Sequence, residues 1–259
     1  MATVPMERVE DPASLLTWLA DPPDHEALTG YNPVGWESST WILHAMYENP
    51  GLAGLGTHDD NVRRGLDAGD LAPLVVGGIN LDEDTTETGI PLGYVSRPGG
   101  PWQRVLWSTY LARGAGPERD RTFPPSYSWF SHSSWPADIQ PPPEGSLDEE
   151  SLDALLDALS QHSVDGPGTE CVAFYAAVPT GDFDQLHVWR GPLSAVPGLI
   201  EERGGRYSFS PTNLWPVDRS WMVWTDYDLQ GSKVSGSVAL IGAIERHPVL
   251  ETTDWSARR

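Results

Sequence analysis

One kind of cation is almost missing from this sequence: Lys233 is its single lysine, against fifteen arginines. Arginine suits planar, two-pronged pairing with carboxylates, but a GC-rich coding sequence gives the same skew and is the simpler account. Cysteine is equally scarce. Cys171 stands alone, so no internal disulfide can form, which fits a reducing compartment. No apolar run approaches the roughly 20 residues of a membrane-spanning helix, and residues 1–10 lack the apolar core of a secretory signal. Together these absences predict a cytoplasmic protein.

Signatures of known chemistry are missing as well. There is no G-x-S-x-G elbow for a nucleophilic serine. The glycine-rich stretches at residues 51–56 and 77–78 lack the Lys and Ser/Thr of a phosphate loop. The histidines (His25, His44, His58, His132, His162, His187, His247) are isolated, with no pair at i, i+4. No internal repeat is evident, and no cofactor is expected.

Acids and aromatics fill the space left. The formal net charge is -21, and there are twelve tryptophans, 26 glycines and 24 prolines. Counted along the chain, residues 1–110 carry about -11, residues 111–145 about -1 and residues 146–259 about -9. The charge is therefore a property of the whole surface and not of a tail. It repels nucleic-acid phosphates and anionic membranes, so neither is an expected partner. It favours solubility or a basic protein partner. The tryptophans mark a folded chain, since disordered sequences are poor in aromatics.

Mixed signals along the chain predict an α+β fold in two modules able to pack as one unit. Residues 1–112 form the first, residues 113–145 a Pro- and aromatic-rich connection, and residues 146–259 the second. Asp11 and Pro12 read as N-cap and first position of a helix reaching residue 20. Residues 41–48 read as a strand buried on both faces, or as a short helix. Thr57 caps a helix running to about Leu66, with acids in its first turn. Residues 74–79 and 90–95 read as strands. The connection holds Trp129, Phe130 and Trp135, so it should lie against the body of the protein. Ser146 and Glu149 form a capping-box pattern ahead of Leu152, Leu155, Leu156 and Leu159 at helical spacing. Residues 170–178 and 185–190 read as paired strands, residues 194–203 as a helix, residues 221–225 as a strand and residues 237–246 as a helix.

The densest segment is residues 213–228, with three Trp, three Asp and one Arg. Strand ends present functional loops. Trp215, Asp218, Arg219, Trp221 and Trp224 are the candidate binding residues, Arg219 being able to fix a bound carboxylate or to lock onto Asp218. Asp226 and Asp228 form a D-x-D pair that could hold a divalent cation, which prefers oxygen ligands. His58-Asp59-Asp60 resembles the opening of a metal-dependent hydrolase site, but helix capping explains it well. Cys171 opens an apolar strand and reads as a buried small residue. Ser131 and His132 are neighbours in sequence, which defines no triad.

Residues 41–48 (WILHAMYE) and 215–228 (WPVDRSWMVWTDYD), with the helix after Gly236, resemble uncharacterised proteins of actinobacteria. In size, acidity and lack of catalytic residues the chain is also similar to small toxin-immunity proteins. That likeness implies a non-enzymatic, protein-binding role, neutralising a basic partner. The alternative is an enzyme or small-ligand binder using Trp215 to Asp228, with or without a divalent cation.

Overall fold

The apolar run at residues 41–48 resolves as two strands with a break at His44-Ala45 in the computed structural model of the chain, which describes residues 5–19, 35–72, 75–76, 79–80, 85–113, 122–130, 133–182, 184–202 and 209–256. The strands are β1 (Glu7–Arg8), β2 (Ser38–Leu43), β3 (Met46–Glu48), β4 (Val75–Val76), β5 (Ile79–Asn80), β6 (Gln103–Val105), β7 (Ile139–Gln140), β8 (Glu170–Tyr175), β9 (His187–Pro192), β10 (Asn213–Pro216), β11 (Met222–Thr225), β12 (Gly231–Gly236) and β13 (Thr252–Thr253). The α-helices are α1 (Ala13–Leu16), α2 (His58–Ala68), α3 (Trp107–Ala112), α4 (Glu149–Gln161), α5 (Ala177–Thr180), α6 (Val196–Glu202) and α7 (Val238–Glu245).

Eight strands form an antiparallel sheet in the order β1-β9-β8-β10-β11-β12-β2-β13. Here β2, from the first half of the chain, pairs with β12 over six residues and also with β13. Strands from both sides of the connection thus share one hydrogen-bonded ladder, and the fold is α+β. A second sheet, β6-β3-β7, also pairs antiparallel.

Because side chains alternate along a strand, the large sheet has two different faces. One carries Ile42, Cys171, Ala173, Leu214, Val223 and Val234, which pack against Leu152, Leu155 and Leu159 of α4 and Leu240, Ile241 and Ile244 of α7. The other, opposite α4 and α7 and here called the open face, is itself covered: it carries the buried Val172, Phe174, Trp215 and Met222, packed with Leu15 and Leu16 of α1 and with Trp18, Leu19 and Trp36. Beside these lie Trp41, Trp224 and Leu229, with Trp255 against them. The connection does lie on the body. Trp129, Phe130 and Trp135 are buried with Trp107, Met46 and Val105, and Phe130 sits 4.7 Å from both Trp107 and Trp135, ring centroid to centroid.

Local chemistry explains where elements start, and corrects several expectations. Thr57 and Asp60 form a reciprocal capping box on α2, which runs on to Ala68 and stops at Gly69 in the left-handed region. Ser237 caps α7 through the Leu240 amide. α1 covers four residues only and begins after Pro12, with no side-chain cap from Asp11. Ser146 does not cap α4. Its hydroxyl is buried and bonded to Ser210 and the Leu147 carbonyl, and Asp148 takes the cap by accepting from the Ser151 amide. Residues 90–95 form no strand, only an isolated bridge from Leu92 to Glu144. β8 ends at Tyr175, short of the expected residue 178, and the short helix α5 separates it from β9. Residue 203, the expected end of the helix over residues 194–203, lies outside the described residues.

Gly145 is the tightest junction between the connection and the second half. Its φ is +74°, and a Cβ there would lie 2.5 Å from the Phe209 ring and 2.9 Å from the Tyr227 Cα. Gly145→Ala should cost about 1–3 kcal/mol, from the left-handed backbone and the overpacking together. A urea midpoint equal to wild type would contradict this packing.

Candidate functional site

A single row crosses the open face of the sheet. Register pairs Phe174 with Asn213, Asn213 with Trp224, Trp224 with Lys233, Lys233 with Trp41, and Trp41 with Thr253. Strands two apart are separated by about 9–10 Å, yet the Trp41 and Trp224 ring centroids are 5.5 Å apart, at 64°. The two indoles therefore lean toward each other across the lysine that separates them. Trp255 adds a third ring, 5.9 Å from Trp41.

Lys233 is half-buried in this setting. Burial holds its ammonium below the ordinary lysine range. Among the described residues no carboxylate pairs with it, although the chain carries 37 acids. The Nε1 donors of Trp41 and Trp224 are buried and have no hydrogen-bond partner. Two buried indole donors without acceptors thus sit beside a half-buried lysine, and Trp18 Nε1, Arg104 Nη1, Thr169 Oγ1 and Gln230 Oε1 are likewise buried with no hydrogen-bond partner.

The segment marked out in sequence is divided by the fold. Trp215 and Trp224 face the open side, while Trp221 faces the helices, its Nε1 donating to Ser163 Oγ at 2.8 Å. Asp218 and Arg219 lie in the β10–β11 turn. Asp218 accepts from the Ser220 amide at 3.0 Å. Arg219 has φ +57°, the one left-handed non-glycine residue among those described, and its guanidinium lies 4.8 Å above the Trp18 ring. Trp18 in turn packs 5.5 Å from Trp215, and its Nε1 also lacks a partner.

Asp226 and Asp228 sit beyond the other end of β11. The Asp228 amide donates to Asp226 Oδ1 at 3.4 Å. Burial, then a hydrogen bond to and repulsion from Asp228, pushes the Asp226 carboxyl up to about 7. Glu144, from the connection, joins them and is also pushed up to about 7, by burial and then by Asp228. Among the described residues no group of three or more His, Cys, Asp or Glu side chains is arranged to hold a metal ion.

The remaining candidates have local employment. Asp60 belongs to the Thr57 cap, Asp59 pairs with Arg63 at 2.7 Å, and His58 Nε2 bonds the Ile139 carbonyl at 2.8 Å. Cys171 is buried, bonds the Thr169 carbonyl, and has its thiol pushed up to about 12, chiefly by burial. Ser131 and His132 lie outside the described residues.

Sequence reasoning missed one histidine. His44 is fully buried, and its Nδ1–H donates to the Pro143 carbonyl at 2.6 Å. Its Nε2 accepts from the Ser232 hydroxyl at 3.0 Å, and Ser232 is 2.7 Å from Thr225 Oγ1. Burial lowers the imidazole to about 4, which keeps it neutral, and the Pro143 carbonyl, which can only accept, fixes the proton on Nδ1. The bonding resembles a serine–histidine pair, but Ser232 is 0 % and Thr225 3 % exposed, so the set ties β2, β11 and β12 to the connection inside the core. Its only signal in sequence is a polar residue within an apolar run.

No family model matches the chain, and neither a curated protein nor a solved structure matches it. No helix among the described residues is long and apolar enough to cross a membrane.

Proposed function

We propose that the chain binds a small anionic ligand, bearing a carboxylate or a phosphate, on the open face of its sheet. Lys233 is the charge partner, and the Trp41 and Trp224 indoles are the flanking donors. One observation carries this reading: a half-buried lysine with no carboxylate partner among the described residues, flanked in strand register by two indoles whose buried N–H groups have no acceptor. An anion at this point gives Lys233 a counter-charge.

Titration calorimetry with a panel of small carboxylates and phosphates tests the proposal. Wild type should bind at least one saturably, and Lys233→Met should abolish binding while leaving stability unchanged or raised by about 1 kcal/mol, because an unpaired charge is replaced by an apolar chain. Binding that survives in Lys233→Met would contradict it.

A second reading is a basic protein partner in the cytoplasm, of the kind an immunity protein neutralises. The net charge of -21, spread through both halves, supports it. Its support from tryptophan is weaker, because none of the twelve is exposed. Capture from the native host at low and high salt tests it, with loss of the partner at high salt as the expected result.

A further inference from the structure

We propose that the groove between α4 and residues 193–200 is the docking site for a basic amphipathic helix of a partner protein. This rests on the second reading above, that of a basic partner, and names the surface that meets it.

The groove is open space left by the packing. Below the surface, Leu155 and Leu159 of α4 share one core cluster with Leu193, Val196 and Ile200. Above that cluster two depressions follow each other along α4, with Asp153 in the wall of both. One, of about 160 Å³, lies between Glu149 and Asp153 on α4 and Pro197 and Ile200 on α6. The other, of about 330 Å³, lies between Leu156 and Asp157 on α4 and Leu193 and Ser194 across from them. From Glu149 to Ser160, the last α4 residue on the groove, is about 16 Å at 1.5 Å per residue, or three helical turns. Long side chains whose stems lie over apolar surface can close such a seam. Here the side chains at the mouth are short, those of Asp153, Asp157, Ser160 and Ser194, and the seam stays open.

Charge decides the occupant. Glu149, Asp153 and Asp157 are exposed and stand four residues apart on α4, so carboxylates recur about every 6 Å along one wall. The facing wall, Leu193, Ser194, Pro197 and Ile200, is uncharged. Among the described residues no cation pairs with Glu149 or Asp157. A helix lying in the groove with Arg at i, i+4 and i+8 sets one guanidinium against each carboxylate, and such forked pairs are strong. Apolar side chains on its adjoining face then cover Leu156 and Pro197, as in other helix-in-groove complexes. A neutral or acidic helix strips water from the three carboxylates and returns nothing for it. The net charge of -21 draws a basic segment toward the molecule, and the groove gives it one place to stop.

The test uses the full chain and a labelled helical peptide of about 18 residues, with Arg at i, i+4 and i+8 and Leu on the adjoining face. Fluorescence anisotropy at low salt follows its binding, and thermal melts check that each variant is folded. Wild type should bind it saturably. Ser194→Trp, at an exposed position, fills the larger depression without altering charge and should abolish binding. Asp153→Asn with Asp157→Asn should weaken binding about tenfold. Asp67→Asn with Asp70→Asn, an equal loss of exposed charge at the end of α2, should change it less than about twofold. Equal weakening by both double variants, with Ser194→Trp binding like wild type, would overturn the groove and leave a basic partner standing, drawn by the surface charge as a whole. No binding of the peptide to wild type would also overturn the groove, and the basic partner would then rest on capture from the host alone.

Discussion

Asp148→Ala should lose about 3–5 kcal/mol of stability, the cost of breaking a buried charge network by removing one partner. Asp148 is 0 % exposed, accepts from two donors and pairs with one cation. The Tyr47 hydroxyl donates to Oδ2 at 2.5 Å and the Ser151 amide donates to Oδ1 at 3.3 Å. Arg104 Nη1 approaches Oδ2 to 3.9 Å, while Nη2 of the same arginine donates to Ser151 Oγ at 2.8 Å. Burial and the carboxylate together push the Tyr47 phenol well above its ordinary range, so it stays protonated and donating. Alanine at 148 leaves the Tyr47 phenol without its acceptor and Arg104 without its buried carboxylate, with only Ser151 Oγ and Glu150 still beside it, and α4 loses its cap. Asp148→Asn keeps an acceptor for the cap but loses the charge, and should cost less, about 1–3 kcal/mol. Urea unfolding of both variants is the check. A loss under about 1 kcal/mol for the alanine variant would mean that the first half and α4 are not joined through this carboxylate.

Stability should rise as the pH falls from 8 toward 5, and Glu144→Gln and Asp226→Asn should each flatten that rise. Both carboxyls are raised to about 7 in the folded chain, from ordinary values of 4.5 and 3.8. A raised carboxyl means that the folded state holds a proton the unfolded state has already released. Stability from this source is therefore present at low pH and lost as pH climbs through about 7. Each pH unit is worth about 1.4 kcal/mol per group. Both side chains are partly exposed, so about 1–2 kcal/mol apiece is a fair expectation after screening. His44 works in the opposite direction. Its folded value of about 4 lies below the ordinary 6.5, so its contribution is lost as pH falls through that interval. Relief of the general negative charge adds to the rise on acidification, which is why the variants matter. At pH 8 each amide should be more stable than wild type, and the difference should shrink as the pH falls below about 7 and vanish only below the ordinary values of 4.5 and 3.8. Equal effects at high and low pH would place the two acids in ordinary solvent.

How far these features could be read in advance depended on whether they are local. The α4 leucines, the Thr57 cap and the helix after Ser237 follow from residues three or four apart, and sequence alone places them. The Ser146-x-x-Glu149 pattern misleads because a tertiary contact outbids a local one. Asp148 already meets Tyr47 and Arg104 from the first half of the chain, and the cap goes with it. The same limit applies to the site. Residues 213–228 are conspicuous in sequence, and two of them, Asn213 and Trp224, line the row, Trp224 directly beside Lys233. Its neighbours come from elsewhere: Lys233 lies in a Gly- and Ser-rich strand that looks like a turn, and Trp41 is nearly 200 residues away. Their meeting is a matter of strand register, and a slip of one residue would turn each to the other face. Glu144 joins Asp226 and Asp228 for the same reason, through a pairing of the connection with the end of β11 that no local pattern announces.

Among the described residues Lys233 has no carboxylate partner, and its proposed role is to pair with an anion. With one lysine in the chain, ¹⁵Nζ-lysine labelling gives a single side-chain resonance that can be followed through pH and through addition of a small carboxylate. The account predicts titration below the ordinary lysine value of about 10.4, and an upward shift once the carboxylate is present. Ordinary lysine titration, unmoved by any carboxylate or phosphate, would contradict it.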